Sequence, residues 1–153
     1  MRGAMDTTLV LLKPDAIAGR KVGEVTKRFE EAGFQIRGVK MFAMTIELLK
    51  EHYAHLLTKP FFPELEAFMQ STPVVALALA GDNAVERVRT IIGPTDSKKA
   101  DKGTVRGDFG VDVMVNIVHA SDSNENAAIE LKRFFAPGEL FDYAMTYTTT
   151  PAA

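Results

Sequence analysis

The chain has 153 residues, 46% of them hydrophobic and 25% charged, with a formal net charge of -2 and no cysteine. A single domain over residues 1–153 is the natural reading, large enough to bury a core without covalent staples. Disulfides, thiolate metal sites and cysteine nucleophiles are excluded, and the near-neutral charge argues against a dedicated nucleic-acid binder.

Residues 1–6 lack the apolar core of a signal peptide; Met5 offers a second start, which leaves open whether residues 1–4 are native or an addition, and residues 1–5 read as a flexible beginning. Residues 7–12 are β-branched and apolar and stop at Lys13-Pro14-Asp15, which predicts a buried strand ended by a turn. Val22, Val25, Phe29 and Ala32 recur at helical spacing until Gly33 stops the helix. Residues 34–44 are extended, and residues 46–57 helical with Thr45 as N-cap. Residues 61–70 form another short helix, residues 73–80 a continuous apolar strand, and residues 84–92 a further helix. The apolar run at 74–80 is far too short to span a bilayer, so a cytoplasmic protein without membrane attachment is expected.

From residue 93 to 110 the chain is polar and aperiodic, which predicts a long and therefore functional loop. A short strand is expected at 116–118, and a last helix at 123–135, introduced by Asp122 and Glu125 at capping-box spacing. Residues 148–153 read as a frayed tail. Strands and helices interleave, so an α/β layer architecture with helices covering one sheet follows.

No Walker-type phosphate loop and no dinucleotide-binding glycine pattern is present. His119 is placed at the end of the strand 116–119, facing a polar segment. A neutral imidazole is a competent nucleophile toward phosphorus if its second nitrogen is held by an acceptor, and Glu130 on the next helix is a candidate. The plainer alternative is a histidine with no role. Lys13, Arg89 and Arg106 lie at element ends or in loops, where fixed cations stabilise the charge of a transferring phosphoryl group, although most such residues are solvated surface charges. Phe61 or Phe62, with Tyr53 one helix earlier, could offer a ring to a base, and one of the two phenylalanines is expected in the core. His52 and His55 are three apart but lack a third metal ligand. The tripeptide Arg106-Gly107-Asp108 is read as a coincidence.

Taken in order, Leu12-Lys13-Pro14-Asp15-Ala16, Glu51-His52-Tyr53, Lys59-Pro60-Phe61-Phe62, Gly93-Pro94-Thr95, the segment 103–109 and the segment Asn116-Ile117-Val118-His119-Ala120-Ser121-Asp122-Ser123 resemble the nucleoside diphosphate kinase family. The resemblance runs over residues 7–143. It implies a ferredoxin-like α+β fold, a four-stranded antiparallel sheet covered by helices. It also implies transfer of the γ-phosphate from a nucleoside triphosphate, typically ATP, to a nucleoside diphosphate by a ping-pong route through phosphohistidine on His119.

By the same resemblance Glu130 orients His119 and Ser121 stands beside them. Lys13 and Asn116 contact the ribose, and Tyr53, Arg89, Thr95 and Arg106 form the phosphate side. Phe61 stacks on the base, with Val113 on its other face. Mg²⁺ arrives on the nucleotide phosphates rather than in a protein cage, and a homo-oligomer, tetramer or hexamer, is implied.

The chain departs from the family pattern at Ala120, where glycine is usual, at Met114-Val115 in place of Gly-Arg, and at Gly19-Arg20, which inverts the usual order. The loop after Thr95 lacks prolines, so it should be more mobile unless lysines or aspartates pin it, and Ser97→Pro should stabilise if the backbone permits. A binding scaffold with vestigial catalysis is the competing class. Keeping His119, Lys13, Arg106 and Glu130 together speaks against it. A phosphohistidine relay to protein targets would use the same chemistry.

Overall fold

Every residue of the strand Val74–Gly81 is buried, which requires cover on both faces of the sheet. The computed structural model describes residues 5–145; the expectations for residues 1–4 and 148–153 lie outside the described residues. Strands β1 (Asp6–Leu12), β2 (Gln35–Phe42), β3 (Val74–Gly81) and β4 (Val118–Ala120) form one antiparallel sheet in the order β2-β3-β1-β4. This is the ferredoxin-like arrangement. Helices α1 (Pro14–Ala18), α2 (Val22–Glu31), α3 (Ile46–His52), α4 (Phe62–Met69), α5 (Ala84–Ile92), α6 (Val105–Phe109) and α7 (Asn124–Phe134) complete the described residues, with three short 3-10 turns. No helix among them is long and apolar enough to cross a membrane.

Side chains alternate across each strand, so one strand feeds two cores. Val10, Leu12, Val75, Leu77 and Leu79 face Val25 and Phe29 of α2 and Val88 and Ile92 of α5. Leu9, Leu11, Ala76 and Ala78 face Leu49 of α3, Leu65 of α4 and Leu131 and Phe134 of α7. The second face carries small alanines on β3, which lets three helices pack close to the sheet.

Several boundaries differ from the sequence expectation. The turn after β1 is a short helix with Pro14 in its first turn, where proline's fixed φ suits the helix and its missing N–H is not needed. The helix expected over 46–57 ends at His52 and continues as a 3-10 turn, Ala54–Leu56, with Thr45 capping Leu48 N as foreseen. The last strand begins at Val118 rather than residue 116, because Ile117 takes a left-handed φ of 73° that no strand tolerates. Ser123, not Asp122, caps α7, accepting from Asn126 N at 3.1 Å.

The aperiodic segment after Gly93 is not one long loop. It holds a 3-10 turn at Ser97–Lys99 and helix α6. After Thr95 aspartates pin it without prolines: Asp96 accepts from Lys98 N, and Asp108 accepts from Gly103 N at 2.9 Å and from Arg28 at 2.8 Å. The expected gain from Ser97→Pro is overturned, because Ser97 N donates to Asp112 O at 3.3 Å and proline would delete that bond.

Thr104 starts α6 by a double contact, accepting from Gly107 N at 3.0 Å and donating to Asp101 O at 2.6 Å. Gly93 sits where a Cβ would meet the Thr104 hydroxyl at 2.9 Å, with φ of 86° besides. Thr104→Ala should therefore cost about 1 kcal/mol of stability, with Thr104→Ser losing much less. Urea midpoints of the two variants measure the difference; equal midpoints would remove the cap from the account.

Candidate active site

The C-terminal end of β1 delivers Lys13 to the floor of a cleft of about 880 Å³. Lys13 is only 5% exposed, and its Nζ donates to Met114 O at 2.6 Å and Asn116 Oδ1 at 2.8 Å. Burial pulls its pKa down to about 8, with Asp15 opposing and Arg106 adding to the fall. Arg106, on α6, is equally buried and donates to Asn116 O, Gly93 O and Val118 O. Desolvation and the charge of Arg89 lower it to about 10. Arg89, on the last turn of α5, is exposed and reaches Ala120 O at 3.4 Å.

Asn116 ties these parts together. Its Nδ2 donates to Thr95 O and Val113 O, both at 3.0 Å, while its Oδ1 receives Lys13. The next residue, Ile117, is β-branched and left-handed, a conformation that costs of order 1–3 kcal/mol. Two bonds hold it there: Ile117 N donates to Asp15 Oδ2 at 2.8 Å, and Lys13 N donates to Ile117 O at 2.9 Å. That bend turns the following residues into β4.

His119 lies opposite Leu11 in the β1–β4 pairing and so faces the helices α3 and α7. It stands inside the three-residue strand rather than at the strand's end. Helix α7 runs back over the sheet. Its six residues beyond Asn124 carry Glu130 about 9 Å back toward the histidine. Glu130 Oε2 is 2.8 Å from His119 Nε2, and Glu130 Oε1 accepts from the Ser121 hydroxyl at 2.5 Å. Burial pushes the Glu130 carboxyl upward, but His119 and Ser121 outweigh it and the net displacement is downward, favouring the carboxylate. A carboxylate can only accept, so Nε2 carries the ring proton and Nδ1 keeps its lone pair. The imidazole side chain is 27% exposed.

Tyr53, Phe61, Thr95 and Val113 also line the cleft. Phe61 is 43% and Val113 58% exposed, while Phe62 is buried in the core, so one of the two phenylalanines is free to take a ligand. Tyr53 is buried, and burial raises its phenol well above the usual range. Apart from Ser121, which is buried and touches the site through Glu130, the site residues expected from the resemblance border one cavity.

His52 and His55 do not act as a pair: His52 is buried and His55 exposed. Instead His52 joins His119 and Glu130, with three donor atoms within 4.8 Å of one another. One nitrogen of each histidine is already committed. Arg133 Nη1 donates to His52 Nδ1 at 2.9 Å, and Glu130 holds His119. The set is rich in nitrogen and does not suit Mg²⁺, which prefers oxygen. His52 and Arg133 were not legible as site residues; the three-residue spacing of Glu130 and Arg133 on one helix face was the available signal.

A nucleoside diphosphate kinase family model matches residues 6–140. A nucleoside diphosphate kinase of Parabacteroides distasonis is 48% identical over 141 residues, covering 92% of each chain. That of Rhodopirellula baltica is 46% identical over 144 residues, covering 94% of this chain and 95% of the relative. The Aquifex aeolicus nucleoside diphosphate kinase crystal structure superposes with a TM-score of 0.85 at 44% identity, covering 90% of this chain and all of that one. The Halobacterium salinarum enzyme in complex with CDP gives 0.89 at 36% identity, covering 93% and 95%. With agreement of that extent in both sequence and structure, the chain belongs to the nucleoside diphosphate kinase family of phosphotransferases.

Proposed function

We propose that the protein transfers the γ-phosphate of a nucleoside triphosphate to a nucleoside diphosphate in two half-reactions through His119. The observation that carries this is the clamp of Glu130 on His119 Nε2, which leaves Nδ1 as the nitrogen with a free pair. In the first half-reaction the Nδ1 pair attacks the γ-phosphorus. The bond from phosphorus to the β–γ bridging oxygen breaks, and that oxygen keeps its electrons and leaves with the diphosphate. No proton need move. The phosphorylated ring becomes an imidazolium whose Nε2–H stays on the Glu130 carboxylate. The second half-reaction reverses these events on a different diphosphate.

Lys13 and Asn116 are assigned to the ribose, Lys13 also reaching the terminal phosphate, and Tyr53, Arg89, Thr95 and Arg106 to the phosphates. Arg106 fits this role because two of its five N–H groups remain after its three carbonyl bonds. Phe61 and Val113 are assigned to opposite faces of the base. A ring reads no base edge, so selectivity among bases should be low. Mg²⁺ would enter on the nucleotide, supplying charge neutralisation at the phosphate oxygens, with the Asp122 carboxylate at the rim as an outer acceptor.

A homo-oligomer, tetramer or hexamer, is supported by the open edge at β2, where Val39 and Met41 are 62% and 61% exposed. A chain without cysteine suits the cytoplasm, where we place it.

Labelling with γ-³²P-ATP, then adding an unlabelled diphosphate, tests the scheme. The label should move to protein and then to the new triphosphate. His119→Ala should lose both the phosphoenzyme and turnover, with its melting temperature retained. Substantial triphosphate synthesis by this variant would end the mechanism.

Phe61→Ala should weaken adenine, guanine and pyrimidine nucleotides alike, by about 1–3 kcal/mol in binding titrations. A loss confined to one base would argue for edge recognition.

Lys13 sets a pH dependence. Its ammonium is present below about 8 and lost above it in the free protein, and kcat/KM reports the free enzyme. So kcat/KM should fall as pH rises through about 8. Stability moves the other way: the unfolded lysine keeps its proton to about 10.5, so the unfolded state binds more protons between the two values and folding gains as pH rises. A kcat/KM flat across that window would remove Lys13 from phosphate binding.

A further inference from the structure

We propose that His52 is a positioning residue for the phosphotransfer: it fixes the plane of the His119 ring and leaves Glu130 to His119 alone, so that only Nδ1 is phosphorylated. The proposal rests on His119 as the nucleophile.

The two imidazoles pack perpendicular, with ring centroids 4.5 Å apart at 85°. Rotating His119 by a half-turn about its outer side-chain torsion would put Cδ2 in the place of Nδ1 and Cε1 in the place of Nε2, taking Nε2 off Glu130 and leaving it unclamped. That rotation must sweep past the ring of His52. His52 cannot yield, because Tyr53 and Phe134 pack on it at 4.7 and 5.0 Å, and its side chain is 2% exposed.

Packing alone would be served better by a phenyl ring. As an imidazole, His52 leaves Nε2 buried with no hydrogen-bond partner, which costs free energy. Its other nitrogen explains the choice. Nδ1 accepts from Arg133 Nη1 at 2.9 Å, and Arg133 lies 3.4 Å from Glu51. Glu130 Oε2 is 3.7 Å from the same Nδ1. Because Nδ1 accepts from Arg133, it carries no proton to offer Glu130, and it also keeps the guanidinium occupied. The carboxylate thus remains the acceptor for His119 and Ser121.

The groups facing His52 keep it uncharged. Burial acts first, then His119 on β4, Arg133 on α7 and His55 on the adjoining turn, with Glu130 alone opposing; the pKa falls to about 3. A charged His52 would compete with His119 for the same carboxylate, and this balance prevents it.

The test is the regiochemistry of the phosphoenzyme. Full-length wild type, His52→Ala and His52→Phe are labelled with γ-³²P-ATP, and the two phosphohistidine isomers are separated after alkaline digestion. Wild type should give the Nδ1 isomer alone. His52→Ala should give both isomers and a kcat lower by roughly 10- to 100-fold, with KM changed less than about twofold. His52→Phe restores the perpendicular ring but releases Arg133, so it should give less of the Nε2 isomer than His52→Ala while its kcat stays below that of wild type. A single isomer in His52→Ala, whatever its melting temperature, overturns the proposal. If His52→Ala does not fold, wild-type long-range ¹H–¹⁵N spectra decide: His52 should show an unprotonated Nδ1 that does not titrate between about pH 5 and 8. A titrating His52 overturns it equally. A wild type that takes no label sinks the reading of His119 itself, which is distinct from labelling that ignores His52.

Discussion

Two buried cations without a carboxylate partner organise this cleft. Lys13 and Arg106 are 5% and 6% exposed, and both spend their hydrogen bonds on carbonyl oxygens. Among the described residues neither forms a salt bridge. Carbonyl dipoles orient a cation but do not cancel its charge. The depressed pKa of each records that deficit. A carboxylate in that position would stabilise the free protein and compete with an incoming phosphate. Without one, the polyanion of the proposed function would supply the missing charge, and the free protein carries the cost.

That arrangement also explains why Asn116 and not an aspartate stands between the cations. An amide accepts from Lys13 and at the same time donates to two backbone carbonyls, fixing the segments at Thr95 and Val113 that border the cleft. A carboxylate could do only the first. The negative charge is placed instead at Glu130, on the far side of His119, where it holds a proton on Nε2 and would balance a phosphorylated ring. In the proposed mechanism the cations would lie on the phosphate side and the anion behind the nucleophile, a dipole aligned with the transfer.

Legibility in the sequence follows the same physics. Strand β3 was readable because burial on both faces demands an unbroken apolar run, and α2 and α5 because each buries a single stripe. Strand β4 was misplaced by two residues because its start is set by the left-handed Ile117, which is held by Asp15 from the other end of the chain. Helix α6 is five residues long and has too few turns to show a period. At the last helix two adjacent residues could cap, and only the chain direction selects Ser123 over Asp122. The cleft residues were identified through a family resemblance; taken singly, each lysine or arginine looks like surface charge. His52 stayed hidden because a histidine on a helix next to another histidine suggests a metal pair, and only the fold shows one buried and one exposed.

The sheet sets its open β2 edge apart from the strand that carries His119. β4 carries His119 at one edge and β2 lies at the other, with β3 and β1 between them, so the edges are about 14 Å apart at the usual strand spacing. Part of the β2 edge is covered from within: Phe141 N donates to Arg37 O, and Arg37 pairs with Asp142, where the strand carries an irregularity between Ile36 and Gly38. Beyond that point Val39 and Met41 remain exposed. The polypeptide thus blunts the half of the edge where the ladder is already disturbed and leaves the regular half open. A second copy docking there would extend the sheet at the edge opposite His119. Association through β2 would reach catalysis only by stiffening β3 and β1, the strands that set the height of Lys13 and the register of His119.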